Sequence, residues 1–214
     1  SFFLINTKDF RLDASSETLL IEGDPDLEYL KEINQRYKSK DFLVLTFTPK
    51  EALTSESSIN NILSLKYKIQ SLDWVHSVVT ILDVPLLESS DEPLMDRIKN
   101  FRTLKDENID KERAFNEILN SPVFKNLVIS EDATTTGIIV NLKRKKVLES
   151  SAFDNEKEFE DYKDKLKSEN HANIKEIREV IVSFKNIGKI HLGGIPMIAD
   201  DMMTFIKKDI IVFG

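Results

Sequence analysis

Two periodicities alternate along the chain. In DFLVLTFTP, Asp41 to Pro49, Phe42, Val44 and Thr46 alternate with Leu43, Leu45 and Phe47, a period of two that predicts a strand. Both of its faces are rich in apolar residues, which predicts a central place in a sheet. Residues 55–73 switch to the helical period, with Ile59, Ile62, Leu63, Ile69 and Leu72 on one stripe. VHSVVTILDVP, Val75 to Pro85, returns to alternation and closes on a proline that no ladder can use. Further on, NLVIS (126–130) and TTTGIIVNLKRK (134–145) read as strands joined by the turn Glu131-Asp132-Ala133, the first a short edge strand, and KIHLGG (189–194) as a last short strand.

Helical spacing fills the remainder. Asp24-Pro25-Asp26 predicts a helix start, with Asp24 as the cap and Leu27, Leu30, Ile33 and Tyr37 on the inner stripe. ERAFNEILNSPVF (112–124) predicts a short helix turning Ala114, Phe115, Ile118 and Leu119 inward. After Ser150-Ser151 a tract capped by Asp154 carries Phe159, Tyr162 and Leu166. A polar break, SENHAN (168–173), separates it from Ile174, Ile177, Ile181, Phe184 and Ile187, a stripe stopped by Gly188.

With 86–131 set aside as a helical insert, the order is strand, helix, strand, strand, helix, strand. That order predicts an α+β fold, a split βαβ arrangement of the ferredoxin-like kind. Its antiparallel-mixed sheet would carry both helices on one side through right-handed crossovers. The expected organisation is a leading segment 1–24, a domain 25–193 that includes the insert, and a terminal helix in 194–214.

Composition changes this picture little. Of 214 residues, 41% are hydrophobic and 31% charged, which fits a folded chain and not a disordered one. A net charge of −7 speaks against nucleic acid as a partner. Lys143-Arg144-Lys145-Lys146 reads as a solvated strand end or hairpin before it reads as a phosphate patch. The absence of cysteine removes disulfides, thiol nucleophiles and cysteine-zinc sites.

Candidate chemistry is sparse. His76, His171 and His191 lie far apart in sequence and in no metal-binding pattern, so each is expected to be structural or surface-lying. Phosphate-cradling glycine loops and nucleophile elbows are missing. Asp200-Asp201 read as the polar face of a helix near its start, where the macrodipole favours acids. No catalytic, cofactor or metal site is expected.

The last segment carries the strongest signal. In HLGGIPMIADDMMTFIKKDIIVFG, residues Ile195, Ile198, Ala199, Met202, Ile206, Ile210 and Phe213 form one stripe, widened by Met203 and Phe205, and the chain is apolar without interruption after Asp209. Three readings stand: a core helix, an amphipathic helix on a membrane surface, and a helix that packs on its own domain before entering the bilayer. The third accounts for both the stripe and the apolar finish. With the apolar Phe2 to Ile5 at the other end and a Ser at position 1, it leads to the expectation of a water-soluble piece flanked by membrane spans. Gly193, Gly194 and Pro196 are the candidate joint, with a plain tight turn as the alternative.

Several segments resemble the extracytoplasmic domain of RND-superfamily exporters, in particular MMPL-like predicted exporters. They are FRLDASSETLLIEGDPDLEYLKEINQRYKSKDFLVLTFTP, WVHSVVTILDVPLL, SPVFKNLVISEDATTTGIIVNL and IHLGGIPMIADDMMTFIKKDIIVFG, in that order. The resemblance implies a periplasmic porter domain between the first and second membrane helices of an inner-membrane protein. The complete transporters are proton-driven and export hydrophobic or lipid-like substrates. Implied partners are the membrane helices of the full-length chain, a lipid-like substrate and further copies in an oligomer. The proton-relay acids of such transporters lie in membrane helices, none of which this chain contains. The competing expectation is a ferredoxin-like periplasmic docking or assembly module that makes no substrate contact.

Overall fold

The computed structural model describes residues 41–89, 95, 101–106, 109–143 and 148–213. The helix expected after Asp24 and most of the basic run at 143–146 lie outside them. The chain is a mixed α/β protein built on a four-stranded, wholly antiparallel sheet of β1 (Phe42–Pro49), β2 (Val75–Val79), β3 (Thr136–Leu142) and β4 (Gly188–Gly193). Its helices are α1 (Glu56–Gln70), α2 (Lys111–Asn120), α3 (Glu156–Ser183) and α4 (Ile195–Phe213). The strand order is β2-β3-β1-β4, so one strand lies between the ends of each strand–helix–strand passage.

The chain divides into two compact units, one of Phe42–Lys143 with Ile177–Gly193, the other of Ser1–Asp41, Arg144–Glu176 and Gly194–Gly214. The sheet belongs to the first. β1 is central, as its apolar character predicts, but its two faces differ. Leu43, Leu45 and Phe47 have no exposed surface, whereas Phe42 on the opposite face is 50% exposed. Register carries the buried face across the sheet, pairing Leu43 with Val140, Leu45 with Ile138, and Val78 with Val140. The other face runs Val79–Ile139–Val44–Gly193 and stays partly open. One covered and one partly open face is a pattern antiparallel sheets commonly show.

α1 begins at Ser55, whose hydroxyl accepts the Ser58 N–H at 3.1 Å, and buries Ile59, Ile62, Leu65 and Ile69. β2 ends at Val79, short of the proline. The Thr80 hydroxyl accepts from Leu82 N–H while Asp83 accepts from Thr80 N–H, which closes a 3-10 turn over Ile81–Asp83. The expected edge strand at 126–130 is not a strand. Asn126 takes a left-handed φ of 63° and its N–H donates to the Ile129 carbonyl, so the segment folds back and contributes only isolated bridges at Ile129.

Two further corrections concern α3. It is one continuous helix through SENHAN, capped by Asn155 and not Asp154: the Asn155 side chain accepts the Glu158 N–H at 2.9 Å and donates to the Glu158 carboxylate. It ends at Ser183, five residues before Gly188, which instead opens β4. A Cβ at Gly188 would stand 2.4 Å from the Thr48 carbonyl and 2.7 Å from the Phe47 ring, so close packing on β1 demands a glycine there.

Candidate functional site

Two places in the described residues combine unusual geometry with exposed or ligand-sized space. The first is a cleft of about 420 Å³ beside α2, lined by Leu53, Phe115, Leu119, Ile129 and Ala133, with Thr54, Lys111, Glu112 and Asn116 bringing polar atoms. Its volume lies within the range of small-molecule pockets. Leu53, Phe115 and Ile129 are all at most 5% exposed, so the lining is continuous with the core.

The wall formed by α2 is firmly held. Asp110 caps the helix by accepting the Arg113 N–H at 3.0 Å. Glu117 gathers the loop behind it, accepting from the backbone N–H groups of Leu87, Glu88 and Ser89 at 2.6, 3.0 and 2.8 Å and from the Ser89 hydroxyl at 2.6 Å. Burial pushes the Glu117 carboxyl up, but these hydrogen bonds outweigh it and hold the group below its ordinary value. Just upstream, burial likewise acts to raise Asp83. Lys105 at 2.8 Å, Lys66 at 2.5 Å and the Thr80 N–H and hydroxyl reverse the effect and bring it down to about 2.

The facing wall includes Ala133 at a φ of 54°, a left-handed conformation that a residue with a Cβ adopts at a cost. The turn around it is over-determined. Ala133 N–H donates to the Ser130 carbonyl, and the Asp132 carboxylate accepts from the Ser130 hydroxyl at 2.6 Å and from Thr134 N–H and hydroxyl. Hydrogen bonding, led by Ser130, holds Asp132 below the ordinary carboxylate range. Spacing on α2 marked Phe115 and Leu119 only as inward-facing. That they line a cleft depends on the fold-back at Asn126, which carries no hydrophobic periodicity.

The second place is the passage from β4 to α4. Gly193 ends β4 opposite Val44, and a Cβ added there would meet nothing nearer than the Val44 carbonyl at 3.8 Å. Gly194 takes a φ of 122°, outside the range of ordinary residues. Its carbonyl accepts from Met197 and Ile198 N–H, both at 3.1 Å, so it caps the helix, and Pro196 falls among the first residues, whose N–H groups need no helical partner. All three candidate joint residues thus sit together at the start of α4, where the division between the two units also falls.

α4 carries apolar residues on two sides. Ala199, Met203 and Ile206 are half-buried, while Ile195, Ile198, Met202, Phe205 and Val212 are 53, 46, 39, 64 and 63% exposed. The exposed set recurs at intervals of three, four and seven residues, a straight stripe along one side of the helix. Among the described residues no helix is long and apolar enough to cross a membrane.

The histidines do not converge. His76 and His191 are exposed on β2 and β4, and among the described residues no group of three metal-ligating side chains forms. His171 is different: its Nδ1 lies 2.7 Å from an oxygen of Asp200, which is only 6% exposed. Asp200 is therefore not the solvated acid that its place near a helix start suggests. Compared with protein-family models and with curated proteins, the chain gives no match.

Proposed function

We propose that this chain is the extracytoplasmic domain of an RND-type exporter of hydrophobic or lipid-like substrates, lying in the periplasm and joined to membrane helices of its own full-length protein. The observation that carries the reading is the exposed stripe of α4. Five large apolar side chains in line, on a helix whose other apolar side is half-buried, are surface that an isolated domain leaves unsatisfied. Membrane helices and lipid beside the domain would cover it. The strand order and antiparallel pairing suit a split βαβ, ferredoxin-like core, and the resemblance of the sequence segments points the same way.

In this reading the cleft beside α2 is part of the substrate path. Its apolar lining takes a hydrocarbon segment, and Lys111, Glu112, Asn116 and Thr54 meet a polar end. Gly193, Gly194 and Pro196 form the joint that links β4 to α4 along the chain. The chemistry is binding and movement, with no catalytic step.

The test is photolabelling of the folded chain with a diazirine-bearing fatty acid, followed by peptide mapping. Label on peptides carrying Phe115, Leu119 or Ile129, abolished by Leu119→Trp, is the expected result. Absence of label there defeats the substrate path and favours a docking module that never touches substrate.

A further inference from the structure

The segment SENHAN, polar in the middle of an otherwise apolar-striped helix, has a specific structural task. Asn170 continues the line of Leu166 and Ile174 on α3, and its side-chain amide donates to the Pro196 carbonyl at 2.8 Å. One residue on, His171 meets Asp200 at 2.7 Å. Pro196 and Asp200 are four apart on α4, so the two bonds grip the same side of its first two turns. Asp200 is buried, and the imidazole of His171 is 59% exposed in its side chain, so a surface residue of α3 supplies the hydrogen bond of a buried acid on α4. Both partners belong to the same compact unit, which begins again at Gly194, the residue before α4, whereas Gly193 belongs to the other.

We infer that Asn170 and His171 are a two-point clamp that holds the first half of α4 and the 156–176 part of α3 together as a single body. Covalent order would attach α4 to β4, its immediate neighbour in sequence. The clamp adds a side-chain hold of α4 on α3 inside one unit. Removing His171 leaves the Asp200 carboxylate buried without a donor, a larger loss than that of an ordinary surface hydrogen bond. Replacing both partners by apolar groups removes that penalty. The clamp goes beyond the exporter reading and does not depend on it.

Hydrogen exchange followed by mass spectrometry on this chain tests the clamp, because it reads each helix separately. His171→Ala is expected to speed exchange of peptides from 160–175 and from 197–206 together, by about tenfold, with β1 and β3 peptides unchanged. His171→Gln, which keeps an amide donor, and the pair His171→Leu with Asp200→Leu are expected to return most of that protection. Faster exchange in α4 alone, or in neither helix, overturns the clamp. If His171→Ala loosens the sheet as well, Asn170→Ala decides, since it leaves Asp200 its partner. A smaller joint rise confined to the two helices supports the clamp, and any other pattern overturns it.

Discussion

β1 and α4 are both strongly apolar, yet they meet solvent in opposite ways. Leu43, Leu45 and Phe47 are completely buried, whereas Ile195, Phe205 and Val212 are each more than half exposed. In β1 the alternation is resolved inside the domain, because β3 and β4 flank it and the sheet's covered face seals every second side chain. In α4 only one side is resolved there. Apolar sequence therefore states that surface must be covered, and only the fold states whether the chain itself covers it. This difference is what supports the proposal of a boundary with lipid or membrane helices at α4.

The sharpest way to break the comparison is to remove one aromatic ring from each region. Phe47→Ala should destabilise the chain by about 3–5 kcal/mol in urea unfolding, since a fully buried ring leaves a cavity. An effect below about 1 kcal/mol would mean that β1 is not the core strand described.

The polar fastenings come next. Asp83 has its folded value lowered from 3.8 to about 2, so the unfolded chain binds its proton more readily. Its stabilisation is full above 3.8 and disappears as pH falls through about 2. The shift corresponds to about 2 kcal/mol, less what solvent screens at Lys105, whose side chain is 38% exposed. Asp83→Asn should remove that part of the acid dependence, seen as a shallower loss of stability between these pH values. An unchanged acid profile would show that the lysine pair contributes nothing.

Gly194→Ala should cost at least about 1 kcal/mol, because its φ of 122° is closed to residues with a side chain. Gly193→Ala, with open space around its Cβ, should cost less. Equal costs would remove the conformational argument for the joint. The smallest effect is expected at the stripe: Phe205→Ser should change stability by no more than about 0.5 kcal/mol, measured as for Phe47.

Alternation made β1 and β3 legible, and helical stripes made α1 and α2 legible, because one face of each is buried in a single direction; α4 was legible as a helix, although much of its stripe is exposed. The misreadings share a cause. SENHAN looked like a break because Asn170 interrupts the stripe, and the partner that justifies it, the Pro196 carbonyl, lies 26 residues away. NLVIS looked like a strand because Asn126 gives no warning that its φ is positive. Gly193, Gly194 and Pro196 were visible as a corner from residue type alone, since local backbone geometry dictates them. The cleft and the His171–Asp200 pair depend on segments brought together by the fold, which no local pattern reports.

In the proposed exporter the exposed side of α4 faces lipid or membrane helices. Residues 1–214 contain no cysteine, so, with any cysteine elsewhere replaced, single cysteines at positions 198, 202, 205 and 212, and at 204 and 207 for contrast, can carry spin labels in the membrane-embedded protein that the proposed function implies. Collision with oxygen and with a water-soluble nickel chelate should follow the helix, with the stripe positions shielded from the chelate and positions 204 and 207 open to it. Equal and full access of the chelate to all six positions would contradict the account.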